Sequence, residues 1–297
     1  MPTSQGSPCS SNTPHQQLLL IVNFARVWHE DTSFAHSEYS NATLATPRCD
    51  QLHSNDIQIA NLQAWNISYH PSLYTDRCNI ARSSALSVAD FIANFETTEP
   101  VIITDVTDNQ LFRTLNEKKN LLDSYGDHMV KLSTANTHSY DKTMVLFSDY
   151  ILYMMEDQVT DRSGKDTLYH FGDNDLENFK PLFDQYIKPP YPSSLLRGTI
   201  SWGLGGSGTG VPFHTHGAVF AEVLHGMKRW FLYPPGAHPN FDPNDSTLKW
   251  MEDIYPLVRE NGLYECMLRP GEILYLPHGW WHATLNLGQS VFISVFV

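Results

Sequence analysis

The sequence predicts a mainly β fold with an α-helical cover, and three features carry that prediction. From Gly198 to the C-terminus the chain falls into short apolar or alternating runs divided by Gly and Pro, the rhythm of an all-β barrel or sandwich. Upstream, between about residues 84 and 190, helix-start signals alternate with Pro-terminated segments. With 297 residues, 41% apolar and 12% aromatic, the chain can bury a large core and needs no more than one or two domains.

Taken in chain order, the segment before about residue 78 is rich in Ser, Thr, Asn and Gln and reads as a variable, flexible start, leaving residues 78–297 as the domain. Ser87-Val88-Ala89-Asp90 has the form of a capping box, with Leu86 and Phe91 placed as a hydrophobic staple, so a short helix is expected through Phe95. Glu99-Pro100 ends it, and the β-branched run Val101 to Thr104 reads as a buried strand. Asp149 to Gln158 and Leu176 to Tyr186 are expected to be short helices, the second closed by Lys188-Pro189-Pro190. The β region then offers runs at Thr199 to Leu204, Val211 to His216, Val219 to Leu224, Arg229 to Tyr233, Glu272 to Leu276 and Ser290 to Val297.

A net charge of -13, from 19 basic and 32 acidic residues, repels a phosphate backbone, so nucleic acid is not an expected partner. The apolar stretch Leu18 to Val22 is broken at Asn23 and has no basic residue before it. It makes a poor signal peptide and is too short to span a bilayer. Two features lean toward the secretory route. The sequons at Asn41, Asn66 and Asn244 are glycosylation candidates. Of four cysteines, Cys9, Cys49, Cys78 and Cys266, the pair Cys78 and Cys266 is a candidate bridge between the N-terminal segment and the β region. Free buried thiols are the equal alternative.

The chemistry sits among the strands. In Pro212-Phe213-His214-Thr215-His216-Gly217 the two histidines are two apart, so on extended backbone both imidazoles leave the same face. Farther on, the segment Gly271 to Asn286 runs through an apolar stretch and a Pro277-His278-Gly279 turn to His282, sixty-six residues after His216. One close pair and one distant histidine can close a three-nitrogen face on a metal, leaving the opposite face open. Among 14 histidines, an H-x-H pair alone is usually only two polar side chains; the later segment gives it meaning.

Gly271 to Asn286 matches G-x5-P-x-G-x2-H-x3-N at every fixed position, and Trp280-Trp281-His282 presents the distal histidine as JmjC and cupin domains do. The glycine-rich approach Gly203 to Gly210 into Pro212-Phe213-His214, and Gly226-Met227-Lys228-Arg229-Trp230-Phe231-Leu232-Tyr233-Pro234-Pro235, also resemble the JmjC pattern. The resemblance covers about residues 84 to 297 and implies a double-stranded β-helix, the JmjC/cupin jelly roll. Leu132 to Thr137, Phe171 to Asn174 and the H-x-H variant resemble the JmjC domain-containing protein 8 subgroup, which implies the lumen of the endoplasmic reticulum.

In active members Fe(II) is held by two histidines and a carboxylate, and a lysine pairs with the distal carboxylate of 2-oxoglutarate. By position His214 is the first ligand, His282 the last and Lys228 the 2-oxoglutarate partner. His216 stands where Asp or Glu is expected, and Val211 where some relatives have a co-substrate Thr. Glu222, separated from His216 by five residues, is a weak substitute because Gly217 makes its strand parity unreliable. Trp280 and Trp281 are candidates for a substrate slot or for core, and Asn286 for stabilising a turn or strand end.

Three functions follow from the resemblance: a pseudo-oxygenase acting as a luminal binding or regulatory protein, an Fe(II)/2-oxoglutarate-dependent hydroxylase of protein substrates, and a three-histidine metalloenzyme without 2-oxoglutarate. The first is preferred on the missing carboxylate. A histone demethylase is disfavoured by the acidic charge. A protein partner or substrate is expected in each case.

Overall fold

The computed structural model describes residues 63–137, 139, 142–195 and 198–297. Leu18 to Val22, Cys9, Asn41 and Cys49 lie outside the described residues. From Ala60 onward the chain forms one compact unit. Although the sequence places the domain start at residue 78, Trp65 and Leu73 are already buried in its core.

Ten strands form the sheet among the described residues. They are β1 (Ala81–Ser84), β2 (Val101–Thr104), β3 (Met129–Thr134), β4 (Thr143–Leu146), β5 (Leu168–Phe171), β6 (Ile200–Gly205), β7 (Val219–Tyr233), β8 (Tyr264–Leu268), β9 (Ile273–Leu276) and β10 (Trp281–Phe296). Their order is β1-β2-β9-β7-β10-β6-β5-β3-β4, with β8 also on β7. Only the β1–β2 pair is parallel; the other pairings are antiparallel.

Two long strands organise this arrangement. The two runs expected at 219–224 and 229–233 are one strand, because Gly226 takes φ 69° and lets the chain bend without breaking. A side chain there would meet Ser290 Oγ at 2.5 Å. The first part of β7 pairs with β9 and the later part with β8, while β10 follows both and shifts register between Leu287 and Val291. The run expected at 211–216 is not a strand: only the isolated bridge His214–His282 forms there.

Alternation along the strands sorts the core. Val219, Ala221, Val223, Trp230, Leu232, Cys266 and Leu268 share the inner cluster. Phe231, Met267, Ala283 and Leu285 face the opposite way and pack under the helix Thr247–Asp253, through Leu248, Trp250 and Met251. Trp202, Leu204, Val291 and Ile293 are covered by Phe112, Leu121 and Phe147 from helical segments.

The helical cover is shorter than expected. The helix Val88–Asn94 begins at Ser87, whose side chain accepts from the Asp90 N–H, but Asp90 answers through its carboxylate, which accepts from the Ser87 hydroxyl. Asp149 to Gln158 is not a regular helix: a short turn at Phe147–Asp149 widens into a π turn over Tyr150–Met154, where the buried Tyr150 hydroxyl donates to the Leu204 carbonyl. Within Leu176 to Tyr186 only Lys180–Phe183 is helical, since the Asp175 carboxylate takes the Glu177 and Asn178 N–H groups into a tight turn.

Asn116 links this cover to the sheet. Its Oδ1 accepts from Trp202 Nε1 at 2.8 Å and its carbonyl accepts from Trp65 Nε1 at 2.9 Å. Asn116→Ala leaves the Trp202 N–H buried without an acceptor, so a loss of about 2–3 kcal/mol is expected in urea unfolding. A loss below about 0.5 kcal/mol would show that the bond contributes little beyond packing.

Candidate metal centre

The three histidines meet at one end of the inner β layer. His282, the second residue of β10, pairs with Leu232 of β7, and its N–H and carbonyl form a two-way backbone bridge with His214. His216 follows on the same extended segment, against the Phe296 ring at 4.7 Å. The ring centroids of His214 and His216 lie 4.1 and 4.4 Å from that of His282. One ligand nitrogen from each ring falls within 4.8 Å of the other two.

Backbone carbonyls set the tautomers. Nδ1 of His214 bonds the Pro212 carbonyl at 2.8 Å, Nδ1 of His216 the Gly217 carbonyl at 2.7 Å, and Nδ1 of His282 the Trp280 carbonyl at 3.1 Å. A carbonyl only accepts, so each neutral imidazole carries its proton on Nδ1 and leaves Nε2 as a lone-pair donor. Burial keeps the rings neutral. It drives His214 down to about 4, lowers His216, and places His282 well below its ordinary range, with the neighbouring histidines adding to the shift for His282. Three neutral, oriented imidazoles suit iron, zinc, copper or nickel rather than magnesium or calcium.

Glu222 does not join them. It alternates with Ala221 and Val223 of the inner cluster and therefore faces outward. There its carboxylate accepts from Asn109 Nδ2 at 2.8 Å and from the Arg113 guanidinium at 3.4 Å. Burial raises its pKa, but the hydrogen bonds occupy it far from metal chemistry. Among the described residues, the histidine cluster contains no carboxylate.

Lys228 lies on the same face of β7 as Trp230 and Leu232, opposite Asn286. It is 3% exposed. Its Nζ donates to Asn286 Oδ1 at 2.9 Å and sits 3.6 Å from the centre of the Phe292 ring. Burial, with no carboxylate among the described residues to offset it, pulls the ammonium down to about 7. Such a cation is electrostatically incomplete and fits the carboxylate of an anionic ligand.

Asn286 does not stand at a turn or strand end as expected but within β10, where its Nδ2 also donates to Thr209 Oγ1. Only the register of β7 against β10 reveals that it supports Lys228. Trp280 is core, edge-on to Tyr264, and half-buried Trp281 packs beside Phe241. Val211 and His214 line a cavity of about 320 Å³ whose opposite wall includes Lys142, Tyr169 and Asp173. Sequence reasoning missed Lys142, which comes from the β3–β4 hairpin loop, and quoted Asp173, just beyond β5, only within the run Phe171 to Asn174 and for no role at a site.

Cys78 and Cys266 are joined by a disulfide. Cys266 lies in β8 opposite Trp230, so the bridge ties the segment before β1 to the inner layer. Asn66 and Asn244 are both exposed.

A cupin-like domain model matches residues 89–296. JmjC domain-containing protein 8 of Rattus norvegicus is 46% identical over 223 residues, covering 75% of this chain and 83% of that protein. More distantly, the bifunctional arginine demethylase and lysyl-hydroxylase psr-1 of Caenorhabditis elegans is 27% identical over 258 residues, 76% of this chain and 62% of the relative. The 2-oxoglutarate and iron-dependent oxygenase JMJD4 of Gallus gallus is 28% identical over 202 residues, 59% and 47% of the two chains.

Proposed function

Because the chain belongs to the cupin-like JmjC family, with its jelly-roll double-stranded β-helix, we propose that it is a metal-binding protein of the endoplasmic reticulum lumen that works by binding or regulating a protein partner. One observation carries the reading: His216 stands in the carboxylate position, and the cluster holds three imidazoles and no carboxylate. A neutral ligand in place of an anion leaves the bound metal one unit more positive, which alters its redox balance and its response to anions. The disulfide supports the luminal assignment, because such bonds persist in oxidising compartments.

A second reading rests on Lys228, whose buried ammonium has no carboxylate partner among the described residues. It is an Fe(II)/2-oxoglutarate-dependent protein hydroxylase. Iron with 2-oxoglutarate and O2 would supply the oxidising chemistry. The chain itself would contribute the three Nε2 donors of His214, His216 and His282, the Lys228 ammonium for the distal carboxylate, and the layer that excludes water.

Anaerobic titration of the purified protein with Fe(II) or Mn(II), with and without 2-oxoglutarate, followed by admission of O2 to the Fe(II) samples and assay of succinate, separates the readings. Metal binding is expected to weaken about 100-fold in His216→Ala, in line with the loss of one of three donors. Under the binding reading 2-oxoglutarate does not tighten the metal complex and no succinate forms. Metal-dependent 2-oxoglutarate affinity that is lost in Lys228→Ala, with succinate release, establishes the hydroxylase instead. No metal binding in the wild type defeats both.

A further inference from the structure

A second cavity, of about 420 Å³, opens at a separate place in the same unit, sharing no lining residue with the cavity at His214. Its apolar surface comes from Leu73, Leu248 and the exposed Val159, and Tyr69 stands beside them, stacked on Tyr74 at 6.0 Å. The polar lining is dominated by acceptors. Asp157 and Glu252 contribute carboxylates, of which Glu252 is already paired with the Arg162 guanidinium at 2.8 Å, and no Lys or Arg lines the cavity itself.

Gln158 is held so that it adds to this character. Its Nε2 donates to the Asp161 carbonyl at 2.6 Å and its backbone N–H to the Ser207 carbonyl at 2.8 Å. The side-chain carbonyl is therefore turned away from its own donor's partner. Gln158 and Ser207 are each 4% exposed, and neither Gln158 Oε1 nor Ser207 Oγ has a hydrogen-bond partner among the described residues. A buried polar atom without a partner costs free energy unless a ligand or small rearrangement satisfies it. Asp157 spends one oxygen on the Ser207 N–H and is paired with no cation among the described residues.

The adjoining cavity, of about 610 Å³, continues the same sign, with Glu156, Asp157, Asp161 and Asp166 against the single cation Arg162. An acceptor-rich cavity with an apolar floor, an aromatic wall and an acidic approach selects a cation carried on a methylene chain. We infer that this cavity is a binding site for a primary alkylammonium group, supplied by a lysine side chain or by a free aliphatic diamine. Leu73 and Leu248 take the methylene stem. Asp157 faces the ammonium, and Gln158 and Ser207 offer the remaining acceptors.

The test is calorimetric titration of the full chain with Nα-acetyl-lysine methylamide and, separately, with 1,5-diaminopentane, at low and at physiological salt. Saturable binding is expected for at least one probe, weakened about tenfold in Asp157→Asn, which keeps the acceptor for the Ser207 N–H while removing the charge. His216→Ala, remote from this cavity, is expected to bind the probes like wild type whether or not it holds metal, so failure of the metal reading does not touch this one. Tighter binding of the lysine derivative assigns the site to a polypeptide partner; tighter binding of the diamine assigns it to a free amine. No saturable binding of either probe, or binding unchanged in a normally melting Asp157→Asn protein, overturns the inference.

Discussion

Cys78→Ser is expected to lower stability by about 3–5 kcal/mol, the largest loss foreseen for a single substitution in this molecule. The bridge spans 188 residues of sequence, so cutting it releases a long loop in the unfolded chain, and loop-closure entropy alone amounts to about 5 kcal/mol. Cys78 is the exposed partner and Cys266 the buried one, which makes serine at 78 the substitution with least disturbance of packing. Urea unfolding of wild type with and without dithiothreitol, beside the variant, measures the effect. Equal midpoints for all three would mean that the bridge adds nothing to stability.

Lys228→Met is expected to act in the opposite direction, raising the stability of the ligand-free protein by about 1–3 kcal/mol at pH 7. The wild-type ammonium is held at about 7 by burial, against an ordinary value near 10.4. Between these two values the unfolded chain binds more protons than the folded one, so wild-type stability rises with pH across that window. Below about pH 7 both states are protonated and the penalty is full, roughly 4 kcal/mol; above about 10.4 it vanishes. Methionine removes the penalty, less what is lost when Asn286 Oδ1 loses its donor. The variant should therefore be more stable at pH 7, and the advantage should shrink at pH 9.5. A destabilised variant with an unchanged pH slope would refute the account. A cation kept at such a cost invites an anion, and a carboxylate ligand that stabilises wild type but not the variant would identify what it is kept for.

The candidate metal residues were legible because the signal is local. An H-x-H pair on extended backbone and a Pro-Gly turn feeding a third histidine depend on spacing and turn chemistry, which any short window displays. His214, His216 and His282 do come together, although the first two lie on irregular chain rather than on a strand. Glu222 was harder to read because its orientation depends on how the chain bends through Gly217 before β7 begins. Its partner Asn109 is 113 residues away. The helical cover was misjudged where buried side chains, such as Tyr150, and local carboxylate turns, such as Asp175, compete with helix hydrogen bonds.

By itself the sequence determined the mainly β class, the helix-capping start at Ser87 and the spacing that makes His214, His216 and His282 candidates, since composition, periodicity and motif spacing are properties of contiguous chain; Lys228 was a candidate only through the family resemblance. Only the tertiary structure decided that β7 is one continuous strand, that Asn286 holds Lys228, that Glu222 faces outward, that Cys78 reaches Cys266, and that acceptors gather in a second cavity. Those outcomes depend on register and strand parity. A bend or bulge of one residue reverses which side chains face inward, and long-range packing selects the register that buries the most apolar surface while leaving the fewest polar groups unpaired.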